Sequence, residues 1–272
     1  MVMQKSLPMN ARIIGSGGEQ TVILAHGYGG DQSVWDKVVP KLGESYKVVL
    51  FDWCFSGAIK DGNPQQFDAI KYSSYEAFAD DLVKLLEELN SKSCVFVGHS
   101  MSGIIGCIAS VKRPDLFNKL ILVASSPRFI NGEDYEGGFE KSDVEHMFKN
   151  IEADFEEWSS KFASLAVDPI DPHSVQKFTK CLLRMGVEIG YPLAKTVFLS
   201  DHRSVLEKVT TPCTLVTCVR DLVVPASVPL FMMNKIKGES TLEILNAEGH
   251  FPQLTAHEDF LGVVLKALHG FA

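Results

Sequence analysis

The chain has 272 residues, 46% of them hydrophobic and 22% charged, with a formal net charge of −8. That length holds one large α/β domain, or a core with an insertion, and buries roughly three quarters of its extended surface. The acidic balance excludes the clustered lysines and arginines of a nucleic-acid surface, and no apolar run approaches the ~20 residues of a membrane span.

Met1 to Arg12 carries Gln4, Lys5, Ser6 and Pro8 and lacks the continuous apolar core of a secretory signal, so no export is expected. Ala11 to Ile14 reads as a short strand and Gly15 to Gly18 as a turn. Thr21 to Ala25 is a buried strand that runs into His26-Gly27-Tyr28-Gly29-Gly30, where glycines let the backbone approach another group closely. Asp31 or Ser33 then caps a helix carrying Val34, Trp35, Val38 and Val39, with Pro40 in its last turn or at a kink. Lys47 to Phe51 is the next strand. The loop after it, Asp52 to Asp61, holds Trp53 and Phe55 outside any clear periodicity. It lies at a strand C-terminus, where α/β sheets keep their sites, and reads equally as a ligand contact or as a surface loop with tucked aromatics.

Ser74 to Leu89 is an amphipathic helix, with Phe78, Leu82, Leu85, Leu86 and Leu89 opposite a solvated charged face. An apolar run, Val95-Phe96-Val97, then stops at Gly98, and helical spacing resumes at Ile104, Ile105 and Ile108. Ser100 is left at the corner. The segment Gly98-His99-Ser100-Met101-Ser102 is a G-x-S-x-S variant of the nucleophile elbow, in which a tight turn lifts the serine Oγ clear of the sheet. Taken alone, it could equally be a buried strand followed by a Ser-capped helix.

Lys119 to Ala124 gives another strand, and the alternation predicts a parallel sheet wrapped on both faces. From about Tyr135 to Leu199 no buried strand is evident, only helical segments punctuated by Pro169, Pro172, Gly186, Gly190 and Pro192. This reads as a cap inserted over the strand ends, giving a core of residues 1–134 and 200–272 and a helical lid of residues 135–199. The α/β rhythm returns with the strand Cys213 to Val219, a helix around Ser227 to Lys235, the strand Thr241 to Leu245 and a last helix, His257 to Leu268.

Asp221 and His250 each follow one of these late strands, and the order Ser, Asp, His is that of the α/β-hydrolase triad. The residue types fit the chemistry. A serine hydroxyl needs a base whose pKa lies near neutrality, which His250 supplies, and a carboxylate, Asp221, to fix its tautomer and stabilise the imidazolium. Backbone N–H groups of Met101 and Tyr28 are the candidate oxyanion hole. His146, His173, His202, His257 and His269 lie among polar residues without metal-ligand spacing and read as surface, and no cofactor is called for. The six cysteines, Cys54, Cys94, Cys107, Cys181, Cys213 and Cys218, form no C-x-x-C pair and read as reduced. A cytoplasmic and nuclear location is expected.

Four stretches carry a family likeness: Gly98-His99-Ser100-Met101-Ser102, Ser126-Pro127-Arg128-Phe129, Tyr135-Glu136-Gly137-Gly138-Phe139-Glu140 and Gly249-His250-Phe251-Pro252-Gln253. They resemble the plant strigolactone- and karrikin-receptor α/β-hydrolases, relatives of the bacterial regulator RsbQ. The segment Phe51 to Asp61 departs from the Y-D-x-x-G-A-G form of the two established receptors and resembles a third, DWARF-fourteen-like paralogue branch. The resemblance implies a four-helix V-shaped lid over an apolar pocket lined by Tyr28, Phe129, Phe139, Trp158, Phe162 and Phe198. It implies slow hydrolysis of a butenolide lactone, or of a small ester, by a monomer. It also implies an alternative reading, a hormone-perception module whose lid change recruits an F-box protein and a repressor, with hydrolysis incidental.

Overall fold

The computed structural model describes residues 7–15, 20–63 and 65–269. Most of the Gly15 to Gly18 turn therefore lies outside the described residues. Among the described residues, seven strands form one sheet: β1 (Arg12–Ile14), β2 (Thr21–Ala25), β3 (Lys47–Leu50), β4 (Cys94–His99), β5 (Phe117–Val123), β6 (Cys213–Arg220) and β7 (Ser240–Glu248). Their order is β1-β3-β2-β4-β5-β6-β7. Among the described residues, only β1 runs antiparallel to its neighbour. The central strands explain their own burial. Every residue of β2 and β4 is buried, and such continuous apolar runs suit a parallel sheet covered on both faces.

The helices are α1 (Val39–Gly43), α2 (Gly57–Gly62), α3 (Tyr75–Glu88), α4 (Met101–Lys112), α5 (Lys141–Ala153), α6 (Phe155–Ala166), α7 (Pro172–Met185), α8 (Val187–Leu199), α9 (Ser227–Lys235), α10 (Pro252–Thr255) and α11 (His257–His269). The chain crosses the sheet between β3 and β4, so the loops after β2 and β4 leave adjacent strands at their C-terminal ends. That is the position at which open α/β sheets place their crevice.

Several boundaries differ from the sequence reading, each for a local reason. Asp31 caps a 3-10 turn, Gln32–Trp35, by accepting from the Ser33 N–H, and the α-helix begins only at Val39. Pro40 therefore stands in the first turn of α1, not the last, where its fixed φ and missing N–H cost nothing. The second half of the Asp52 to Asp61 loop is helical, because the Ser56 side chain accepts from the Ile59 N–H and starts α2. Gly190 and Pro192 lie inside α8 rather than ending a helix. His202 is half-buried and stacks on Tyr75 at 4.4 Å between centroids, so it is not a surface residue. All six cysteines are free and buried.

Candidate active site

The turn from β4 into α4 sets the geometry of Ser100. Its backbone takes φ 56° and ψ −125°, a conformation costly for any residue with a Cβ. Two hydrogen bonds hold it there: the Ser100 N–H donates to the Val123 oxygen at 2.8 Å, and the Gly103 N–H donates to the Ser100 oxygen at 3.0 Å. Gly98 is required by close approach, since a Cβ there would stand 2.7 Å from the Gly103 nitrogen. Ser102 occupies the position usually held by the motif's second glycine, and its buried hydroxyl donates to the His26 carbonyl at 2.5 Å.

Asp221 and His250 come together beside this turn. The Asp221 Oδ1 accepts from the N–H groups of Val223 and Val224, at 2.8 and 3.1 Å, which fixes the carboxylate on its loop. Its Oδ2 lies 2.8 Å from His250 Nδ1, with both side chains almost wholly buried. A carboxylate at Nδ1 selects the tautomer protonated there and leaves Nε2 with a free lone pair. The His250 backbone is held from two sides. Its N–H donates to the Ala166 oxygen at the end of α6, 2.6 Å away, and its carbonyl lies 2.8 Å from His99 Nε2. Burial drives the His99 pKa well below the ordinary imidazole value, so Nε2 carries the proton of a neutral ring and donates it to that carbonyl.

The loop after β2 runs directly against the elbow. A Cβ on Gly27 would stand 2.9 Å from the Ser100 Cβ, so the backbone leading to Tyr28 passes immediately beside the serine. Met101 is the first residue of α4, and its N–H has no intrahelical acceptor. The Tyr28 ring makes edge contacts with Trp158, Phe162 and Phe198, and donates its phenolic hydrogen to the Gly190 oxygen at 2.9 Å.

Ser100 and His250 line one cavity, together with Tyr28, Phe129, Phe162 and Phe198. Phe139 and Trp158 do not reach it. They line a neighbouring groove of about 380 Å³ between α5 and α6, and Phe162 borders both spaces. The cavity beside Ser100 measures only about 20 Å³, room for about one water molecule. Phe178 and Phe251, which stand 4.4 Å apart, fill much of its wall. Neither was identified as a lining residue from sequence: Phe178 shares the apolar stripe of α7 with Cys181, Leu182 and Met185, and nothing in that spacing separates a wall from a core position.

The sheet, the elbow and the Asp221–His250 contact are set in a fold of a known class. Residues 20–179 match the alpha/beta hydrolase fold family, and the chain belongs to that family of hydrolases, within the group that holds strigolactone esterases and karrikin receptors. It is 44% identical to strigolactone esterase RMS3 of Pisum sativum over 91% of each chain. It is 41% identical to karrikin insensitive 2 receptor CA of Petunia hybrida, covering 96% of this chain and 95% of that one. Among solved structures, a hydrolase from Oleispira antarctica, olei00960, superposes with a TM-score of 0.91 at 30% identity, over 97% of this chain and 95% of that one.

Proposed function

We propose that the protein is a serine hydrolase that opens a butenolide lactone or a small ester. The observation that carries this reading is the 2.8 Å contact of His250 Nδ1 with Asp221 Oδ2 in a cavity that His250 shares with Ser100. His250 Nε2 takes the proton of Ser100 Oγ as the oxygen attacks the carbonyl carbon. The tetrahedral oxyanion is held by the N–H groups of Met101 and Tyr28, each worth about 3 kcal/mol of barrier. Collapse breaks the ester C–O bond, and His250 returns the proton to the leaving oxygen. A water activated by the same nitrogen then cleaves the acyl-serine. Asp221 stays ionised and stabilises the imidazolium.

The closed cavity supports slow turnover. A substrate larger than one water must displace the aromatic wall contributed by α6, α7 and α8, so opening of these helices as a lid precedes chemistry. The direct test is hydrolysis of p-nitrophenyl acetate and of a synthetic strigolactone by the wild-type protein. Hydrolysis by Ser100→Ala at the wild-type rate would sink the mechanism.

A second reading, ligand perception, is favoured by the bond from the His250 N–H to the Ala166 oxygen, because it makes the C-terminal end of α6 sensitive to whatever moves His250. Ligand-dependent capture of an F-box protein and its repressor, measured by pull-down, tests this. Absence of both at saturating ligand would leave the hydrolase reading alone.

A further inference from the structure

We infer that Trp53 and Ser102 are positioning residues for the Tyr28 side of the oxyanion hole, acting through His26; this rests on the hydrolase reading above. The chain holds His26 at three points. The indole Nε1–H of Trp53 donates to the His26 carbonyl at 3.0 Å, and the Ser102 hydroxyl donates to the same oxygen at 2.5 Å. The same indole hydrogen is shared with Ser102 Oγ at 2.9 Å, which links the two donors. The Trp53 backbone N–H meanwhile donates to His26 Nε2 at 3.2 Å. That bond makes Nε2 the acceptor, so the ring proton sits on Nδ1 and faces the Gly27 oxygen at 3.0 Å.

The grip is rigid because its parts are packed. His26, Trp53 and Ser102 have no solvent exposure. The Trp53 ring stands edge-on to Phe51 at 4.8 Å and to Phe78 at 5.6 Å. Asp52, one residue earlier, accepts from the Gln32 N–H, from Gln32 Nε2 and from Asn10 Nδ2, which anchors the end of β3. Burial lowers the pKa of His26, so its ring stays neutral and the nearby Asp52 makes no ion pair with it.

Gly27 alone separates His26 from Tyr28, and a Cβ there would stand 2.9 Å from the Ser100 Cβ, so the backbone has little room to shift. The direction of the Tyr28 N–H is therefore set by where the His26 carbonyl is held. Trp53 is absent from the cavity wall. Its effect on the reaction passes through the loop, and a donor displaced by a fraction of an ångström loses much of its transition-state value. Both unusual features of the sequence, the aromatic after Asp52 and a serine where the elbow usually has its second glycine, serve one carbonyl.

The test compares wild type, Trp53→Phe, Ser102→Ala and the double variant, using p-nitrophenyl acetate turnover and fluorophosphonate labelling of Ser100 read by mass spectrometry. Each single variant is expected to lower kcat about ten-fold and slow labelling equally, with KM within about two-fold, since a transition-state donor is misplaced while ground-state contacts remain. The double variant loses more than either. If wild type neither turns over nor labels at Ser100, the hydrolase reading itself fails. If wild type does both and the folded variants keep kcat within two-fold, or lose it only in proportion to a rise in KM, the positioning role is wrong. Should Trp53→Phe not fold, Ser102→Ala decides the question, because it removes a single oxygen atom.

Discussion

Tyr28 and Gly190, 162 positions apart in the chain, are joined by a hydrogen bond of 2.9 Å from the phenol to the backbone oxygen. One bond thus ties the loop beside Ser100 to the first turn of α8. Burial pushes the Tyr28 pKa upward, so the phenol remains a donor across the accessible pH range. Replacing Tyr28 with Phe removes this tie and keeps the ring contacts. The expected cost in stability is about 1 kcal/mol. Hydrolysis of a long-chain ester is expected to rise relative to acetate, because the helix is freer to move. An unchanged ratio of p-nitrophenyl octanoate to acetate rates would show that the bond does not restrain admission.

Phe162 separates the cavity at Ser100 from the groove between α5 and α6, stacked on Trp158 at 5.0 Å. Phe162→Ala should join the two spaces. Because Phe162 is only half-buried, the loss of stability should fall below the roughly 3–5 kcal/mol typical of a core Phe→Ala. The measurement is KM for a bulky ester, expected to fall several-fold, alongside the thermal midpoint.

Asp221→Asn retains the shape of the carboxylate and can still accept from Val223 and Val224. What changes is the group at His250 Nδ1, where an amide favours the wrong tautomer. We expect kcat to fall about 10⁴-fold with the melting temperature nearly unchanged. A loss below ten-fold would mean that His250 does not depend on Asp221 for its proton.

His26, His99 and His202 are each held neutral by burial, with pKa values lowered in the folded chain. The unfolded chain binds protons at these sites near pH 6.5 while the folded chain does not, so unfolding takes up protons below that pH. Their stabilising contribution is complete above about pH 6.5 and declines as pH falls toward the lowered values, by up to about 1.4 kcal/mol per site per pH unit. Chemical denaturation between pH 7.5 and 5 should show this slope, and His99→Asn should reduce it.

Much of the fold was legible because its signals are local. The strand Thr21–Ala25, the helix Ser227–Lys235 and the start of the last helix at His257 fall where period and flanking residues put them. The Asp221–His250 contact was legible for a different reason: chain order and strand ends confine both residues to one edge of the sheet. What stayed hidden depends on distant partners. Nothing near Tyr28 announces Gly190, and Trp53 looks like any aromatic in a loop until His26 is seen against it. Phe139 and Trp158 border the neighbouring groove and not the Ser100 cavity in which the family resemblance puts them, a distinction that nothing in their local sequence carries.

A residue with a Cβ at φ 56° and ψ −125° holds free energy that glycine would release, about 1–3 kcal/mol for such a site. Natural selection for stability alone would therefore favour Gly at position 100. In a scan of that position, melting temperature and turnover are expected to rank in opposite order, with Ser100→Gly the most heat-resistant member and one of the inactive ones. On the hydrolase reading proposed above, the serine persists against the preference of its own backbone because the reaction needs its hydroxyl.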